Sequence, residues 1–152
     1  MQVREILAIK GATLYTIAPN KTLAEGIAIM AEQDVGSLVC FDGGRMVGML
    51  TFREILKALH HHGAAALDGV THANVMEPEP LSASPEMELD ELRRLMIRHR
   101  MRYLPVMDGT TLLGVISFHD VARAVLEEQG FENRMLKAYI RDWPAEEESK
   151  EV

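Results

Sequence analysis

The chain has one cysteine, one tryptophan and few aromatic residues, 5% in all. A single cysteine closes no internal disulfide, which excludes a disulfide-stapled scaffold. Cys40 stands in Leu38-Val39-Cys40-Phe41 and reads as a small buried hydrophobe suited to a reducing cytosol. No apolar run approaches the roughly 18–20 residues of a membrane span. Met1–Glu5 offers no basic flank before an apolar stretch, so no secretory signal is expected and the location expected is cytoplasmic, away from membranes. Clusters of Lys and Arg are lacking too, so nothing is set to neutralise a run of phosphates, and nucleic acid is not an expected partner. A small anion stays admissible, because one arginine and a helix N-terminus hold a single phosphate. His60-His61-His62 are consecutive and would point about 100° apart on a helix, so no shared metal is expected. No Ser/His/Asp spacing makes a hydrolase elbow, and an enzyme is not expected.

What is present is an ordinary globular mixture: 152 residues, 47% hydrophobic and 26% charged, with ten methionines to help fill the core. That length is one domain or two small repeated units. The net charge is −7, and the last eight residues, with four glutamates and one lysine, carry −3 of it. Residues 145–152 therefore read as an acidic disordered tail.

The chain repeats itself. Sliding it by 66 places lays Pro19–Ala58 on Pro85–Ala124 without a gap, with ten identities, among them Leu23/Leu89, Asp42/Asp108, Gly48/Gly114 and Phe52/Phe118. Apolar and turn positions fall in step as well. Thr22-Leu23-Ala24-Glu25 is a capping box, and Leu23, Ile27 and Met30 follow on one helical face, as Leu89, Leu92 and Met96 do in the second copy. Ser37–Phe41, the turn Asp42-Gly43-Gly44-Arg45 and Met46–Leu50 predict a hairpin, repeated by Tyr103–Met107, Asp108–Thr111 and Leu112–Ile116. Helices are expected at Phe52–Leu59 and Phe118–Glu127. Each unit thus reads helix, strand, hairpin, strand, helix, behind an extended segment ending at Pro19 or Pro85.

Neither unit can bury both faces of so small a sheet alone, so the two are expected to pack about a pseudo-twofold axis in an α+β fold. The expected divisions are 1–67 for the first unit, 68–127 for the second and 128–144 for a C-terminal amphipathic helix. That helix carries Phe131, Met135, Tyr139 and Trp143 every fourth residue and stops at Pro144. Val3, Ile6 and Leu7 predict an amphipathic turn before Gly11, and His60–Asn74 reads as a loop or frayed helix end.

Arg102-Tyr103-Leu104-Pro105-Val106-Met107-Asp108, Gly114-Val115-Ile116-Ser117-Phe118-His119-Asp120 and the matching Gly48-Met49-Leu50-Thr51-Phe52-Arg53-Glu54 resemble the paired cystathionine-β-synthase (CBS) domain, the Bateman module, over about Val3 to Glu127. The resemblance implies a non-enzymatic, stand-alone sensor that binds adenosine-containing ligands (AMP first, then ADP, ATP, S-adenosylmethionine or NAD) between the units. It would report ligand state to a regulated protein whose identity the sequence leaves open, and would pair as a homodimer. The nucleotide is then a regulatory ligand and not a catalytic cofactor. The other reading is a ligand-free oligomerisation or interaction module.

The resemblance also assigns roles. Asp120 would take the ribose and Ser117 the phosphate side, with Thr51 and Glu54 at the corresponding place in the first copy. Arg102, ahead of Tyr103, would face a phosphate and, with two clefts side by side, is available to either ligand. Arg53 and His119 precede the acidic residues and come near phosphates. Thr16, Ile17, Ser82 and Ala83 would wall the adenine through backbone contacts. Each motif has a second reading: Ser117–Asp120 has the spacing of a capping box, and Thr51–Glu54 fits one better still. Glutamate at position 54, where the family usually has aspartate, and Gly36-Ser37 in place of Arg102-Tyr103 imply two unlike pockets.

Overall fold

The computed structural model describes residues 1–11 and 14–141. The elements are α1 (Val3–Lys10), β1 (Thr16–Ile17), α2 (Leu23–Gln33), β2 (Ser37–Asp42), β3 (Arg45–Thr51), α3 (Phe52–His62), α4 (Ala66–Gly69), α5 (His72–Val75), α6 (Leu89–His99), β4 (Tyr103–Asp108), β5 (Thr111–Ser117) and α7 (Phe118–Arg141). A 3-10 turn, Gly63–Ala65, joins α3 to α4.

The 66-residue period holds to the residue. Helices α2 and α6 share both bounds under that shift, as do the hairpins β2–β3 and β4–β5. Ser37 faces Thr51 as Tyr103 faces Ser117, and the ladder slips after Cys40 as it does after Val106. The turns follow from glycine: Gly43 and Gly44 at φ 60° and 80° form the primed turn whose twist suits a two-residue hairpin. In the first unit β1 adds a parallel strand through Ile17 and Cys40. In the second this shrinks to one parallel bridge, Ala83 to Val106. The two sheets meet along β3 and β5.

Two apolar cores result. Leu23, Met30, Leu38, Cys40, Leu50 and Ile55 fill the first, and Leu89, Leu92, Met96, Leu104, Val106, Ile116 and Val121 the second. The expected division at 67/68 does not separate them. Val3 and Ile6 of α1 are buried in the second core, while Val70, Val75 and Met76 pack into the first. Helix α1 is tied across by backbone hydrogen bonds, the Val3 amide donating to the Met87 carbonyl and the Arg4 amide to that of Pro85. Sequence order and spatial unit are exchanged at both ends of the first unit because each core needs an apolar cover that its own repeat lacks.

Three expectations change. The joining segment is not a loop: it folds as the 3-10 turn, α4 and α5, and His72 is fully buried with Nδ1 2.7 Å from the Lys21 carbonyl. Helix α1 runs two turns and not one. The helix expected at 128–144 is no separate element, since α7 runs unbroken from Phe118 to Arg141. Only Gly130 interrupts its helix formers, and one interior glycine costs about 1 kcal/mol, too little to end a helix. Trp143, Pro144 and the acidic segment 145–152 lie outside the described residues. Among the described residues no helix is long and apolar enough to cross a membrane.

Candidate functional site

Two helix starts carry the motifs, and they are built differently. At α7 the Ser117 amide donates to Asp120 Oδ2 at 2.8 Å, and the Asp120 amide donates to Ser117 Oγ at 3.1 Å. That reciprocal pair is a full capping box. At α3 the Thr51 hydroxyl donates to Glu54 Oε2 at 2.7 Å and the Arg53 amide donates to Thr51 Oγ1 at 3.2 Å. The box is incomplete there, reversing the order expected from sequence. Chain length is not the cause, since Glu25 completes its box with the Thr22 amide at 2.8 Å; at α3 the Glu54 carboxylate is instead taken by the threonine hydroxyl.

A lysine from a distant helix completes the α7 motif. Lys10, the last residue of α1, donates from Nζ to Asp120 Oδ2 at 2.7 Å and to the Val115 carbonyl at 2.6 Å. Burial pushes the Asp120 carboxyl up, but the Lys10 hydrogen bond and charge and the Ser117 amide outweigh it and hold the group below its ordinary value.

Beside this motif lies a cleft of about 880 Å³, within the range of small-molecule sites. One wall is Asp34–Ser37 and Val39 of the first unit, the other Met96, Ile97 and Arg100–Tyr103 of the second. Ser117, Phe118 and His119 at the start of α7 close one end, where the helix presents its partial positive charge, and Lys10, Gly11, Leu14 and Tyr15 border it. With Lys10 paired to Asp120, Arg100 and Arg102 stand against one lining carboxylate, Asp34, so the cleft carries a net positive charge within an acidic chain.

Of the residues singled out from sequence, the cleft gathers Arg102, Tyr103, Ser117 and His119. Asp120 does not line it, because Lys10 stands between: both border a shallow depression on the α1 side with Ile6, Ile9 and Arg123. Thr51, Arg53 and Glu54 are not on its walls, nor are Ser82 and Ala83. Thr16 and Ile17 pair with β2, and it is Leu14 and Tyr15 just before them that reach the cleft.

Lys10, Asp34 and Arg100 were missed in the sequence. The repeat itself offered a signal for two of them, since Asp34 and Arg100 are counterparts, each ending its helix in the left-handed region at φ 52°. Nothing local pointed to Lys10, which lies 110 residues from its partner.

A profile of the CBS domain matches residues 3–61 and 73–127. The chain is 34% identical over 108 residues to the CBS domain-containing protein YhcV of Bacillus subtilis, covering 70% of this chain and 75% of that one. Its fold matches the crystal structure of the CBS-domain containing protein ATU1752 of Agrobacterium tumefaciens with a TM-score of 0.78 and 28% identity, over 82% of this chain and 98% of that one. The CBS domain pair of protein MJ0100, at 22% identity and a TM-score of 0.73 over 84% and 98%, shares the fold. That pair was crystallised in complex with 5′-methylthioadenosine and S-adenosyl-L-methionine.

Proposed function

The chain belongs to the CBS-domain family, and from that premise we propose that it is a regulatory module. It binds an adenosine-containing ligand in the cleft between its units and passes the occupied state to a partner protein. AMP leads the candidates, ahead of ADP, ATP, S-adenosylmethionine and NAD. The nucleotide acts as an effector and not as a catalytic cofactor. The free, buried Cys40 suits the reducing cytoplasm in which we place the protein.

The observation that carries this reading is the convergence of Arg102, Arg100, Ser117 and His119 on one cleft at the start of α7. A phosphate placed there meets guanidinium forks and the positive end of a helix. The apolar surface of Leu14, Val35, Val39 and Met101 suits a purine face, with the Thr16–Ile17 backbone next to it. Asp120, which does not line the cleft while Lys10 holds it, serves as the ribose acceptor once that contact is released. Thr51, Arg53 and Glu54 at the start of α3, with Ser82 and Ala83 of the second unit's entry segment, belong to the repeat-related position and take no part in this cleft.

Thermal melting with each ligand at millimolar concentration tests the proposal. A ligand bound only by the folded state stabilises it by about 2.7 kcal/mol at a hundred times its Kd, roughly 5–10 °C for a chain of this size. No shift with any of the five would overturn it. The second reading, a ligand-free interaction module, is favoured by one observation: the Asp120 carboxylate already holds two partners within the protein.

A further inference from the structure

Asp120 Oδ2 accepts both the Lys10 ammonium at 2.7 Å and the Ser117 amide at 2.8 Å. A carboxylate oxygen offers two lone-pair sites, so Oδ2 is saturated from within the protein, and a ribose diol that takes both carboxylate oxygens must displace one of its two donors. The ammonium is fixed by a second acceptor, the Val115 carbonyl, 2.6 Å away. Lys10 is also the only residue that borders both the main cleft and the depression containing Asp120, as those two surfaces are lined among the described residues. The lysine therefore screens the carboxylate, whose side chain is 13% exposed against 32% for Lys10. The repeat underlines the asymmetry. The residue 66 places after Lys10 is Met76, a neutral side chain lying against Gly48, and Glu54 in that unit bonds only to its own helix start.

We propose that Lys10 is an internal competitor for Asp120, its ammonium occupying the acceptor that a ribose hydroxyl of a cleft-bound nucleoside would take. This rests on the reading of the cleft as an adenosine site. Binding then proceeds by exchange: the ribose hydroxyl replaces Nζ on the carboxylate, and the freed lysine swings on its flexible stem into the cleft. Helix α1 need not move, since Val3 and Ile6 are buried in the second core. Lys10 thereby sets the affinity threshold of the site.

Adenosine is the informative probe, because it has the ribose and no phosphate for Lys10 to attract. Lys10→Met copies the first unit, keeps the stem length and removes the charge. It tightens adenosine binding about two- to fivefold, the factor a partly exposed ion pair is worth. Raising the salt concentration tightens adenosine binding to the wild type and leaves Lys10→Met unchanged, because screening weakens only the competitor. Lys10→Arg, which keeps the charge, stays within twofold of the wild type. Melting each variant without ligand confirms that it is folded. Weaker or unchanged adenosine binding by a folded Lys10→Met protein would overturn the competitor and leave the cleft reading standing. If neither adenosine nor AMP bound to wild type or variant, both would fall.

Discussion

The side chain of Tyr103 occupies the space that a Cβ on Gly36 would need. Its hydroxyl and ring stand against the glycine from the facing unit, with Phe52 Cε2 2.8 Å from the same point. Gly36 is the repeat counterpart of Arg102, and Ser37 that of Tyr103. At a pseudo-twofold contact both units cannot project a large residue into one place. The second unit keeps the arginine and tyrosine, and the first gives way. That steric conflict gives a reason for Gly36-Ser37 to stand where the second unit has Arg102-Tyr103.

Gly36→Ala therefore forces the units apart at the cleft. Its backbone is not in the left-handed region, so the cost is steric, about 1–3 kcal/mol of stability as for other overpacked sites. In a Tyr103→Ala background the same change should cost less than half as much. Urea unfolding of the four proteins in this cycle measures the coupling, and equal costs in both backgrounds would show that Tyr103 is not the obstacle.

Asp120→Ala should weaken AMP binding about a hundredfold, the loss of two charge-assisted hydrogen bonds at roughly 1.5–3 kcal/mol each. Glu54→Ala, away from the cleft, should change it by less than about twofold. Losing the Asp120 half of its capping box also costs about 1 kcal/mol of stability. Titration calorimetry on both folded variants decides, and wild-type affinity in Asp120→Ala would make the residue a helix cap and nothing more.

Asp120 also gives a pH signature. Its folded pKa lies below its unfolded value, so the ionised group stabilises the protein above about pH 4, and that stability is lost as the pH falls through the folded pKa. The difference in urea midpoint between wild type and Asp120→Asn should be constant from pH 8 to about pH 5 and shrink below about pH 4. A difference that persists unchanged to pH 2.5 contradicts the ion pair.

The second half of α7 presents Phe131, Met135, Leu136 and Ile140 at 54–58% exposure. We expect a second copy of the chain to cover this row, making a homodimer, since self-complementary apolar faces pair most simply by a twofold axis. Light scattering at micromolar concentration should give twice the chain mass of 17.0 kDa. Met135→Asp should lower it to the single mass with the fold retained. A monomeric wild type would refute the pairing.

Burial pushes the Cys40 thiol up to about 11, and the thiolate is the reactive form. A thiol reagent at pH 8 should leave the folded protein unmodified for hours and label one thiol per chain once urea unfolds it. Rapid labelling of the folded chain would mean that the first core is open around β2.

The repeat, both hairpins and the paired helices were legible in the sequence because the signals that specify them are local. Apolar periodicity and the Asp-Gly turns each act within a few residues, and the 66-residue offset repeats them, so the bounds of α2 and α6 and of the two hairpins agree between copies. Ser117, His119 and Arg102 became candidates through the family resemblance, which rests on short motifs of the same local kind. The repeat unit ends at Glu127, so the sequence divides α7 there, although its helix formers continue to Arg141. The joining segment carries Gly63, Ala64, Ala65, Ala66 and Gly69, local marks of a loop or frayed helix end, and the His72 side chain filling the space above Gly26 is a distant contact those marks do not show. Only the tertiary structure decided that α1 covers the second core, that Gly36 yields to Tyr103, and that Lys10 reaches Asp120 across 110 residues. Those contacts depend on how two exposed surfaces meet, and no short-range pattern in a chain encodes which lysine a distant carboxylate will find.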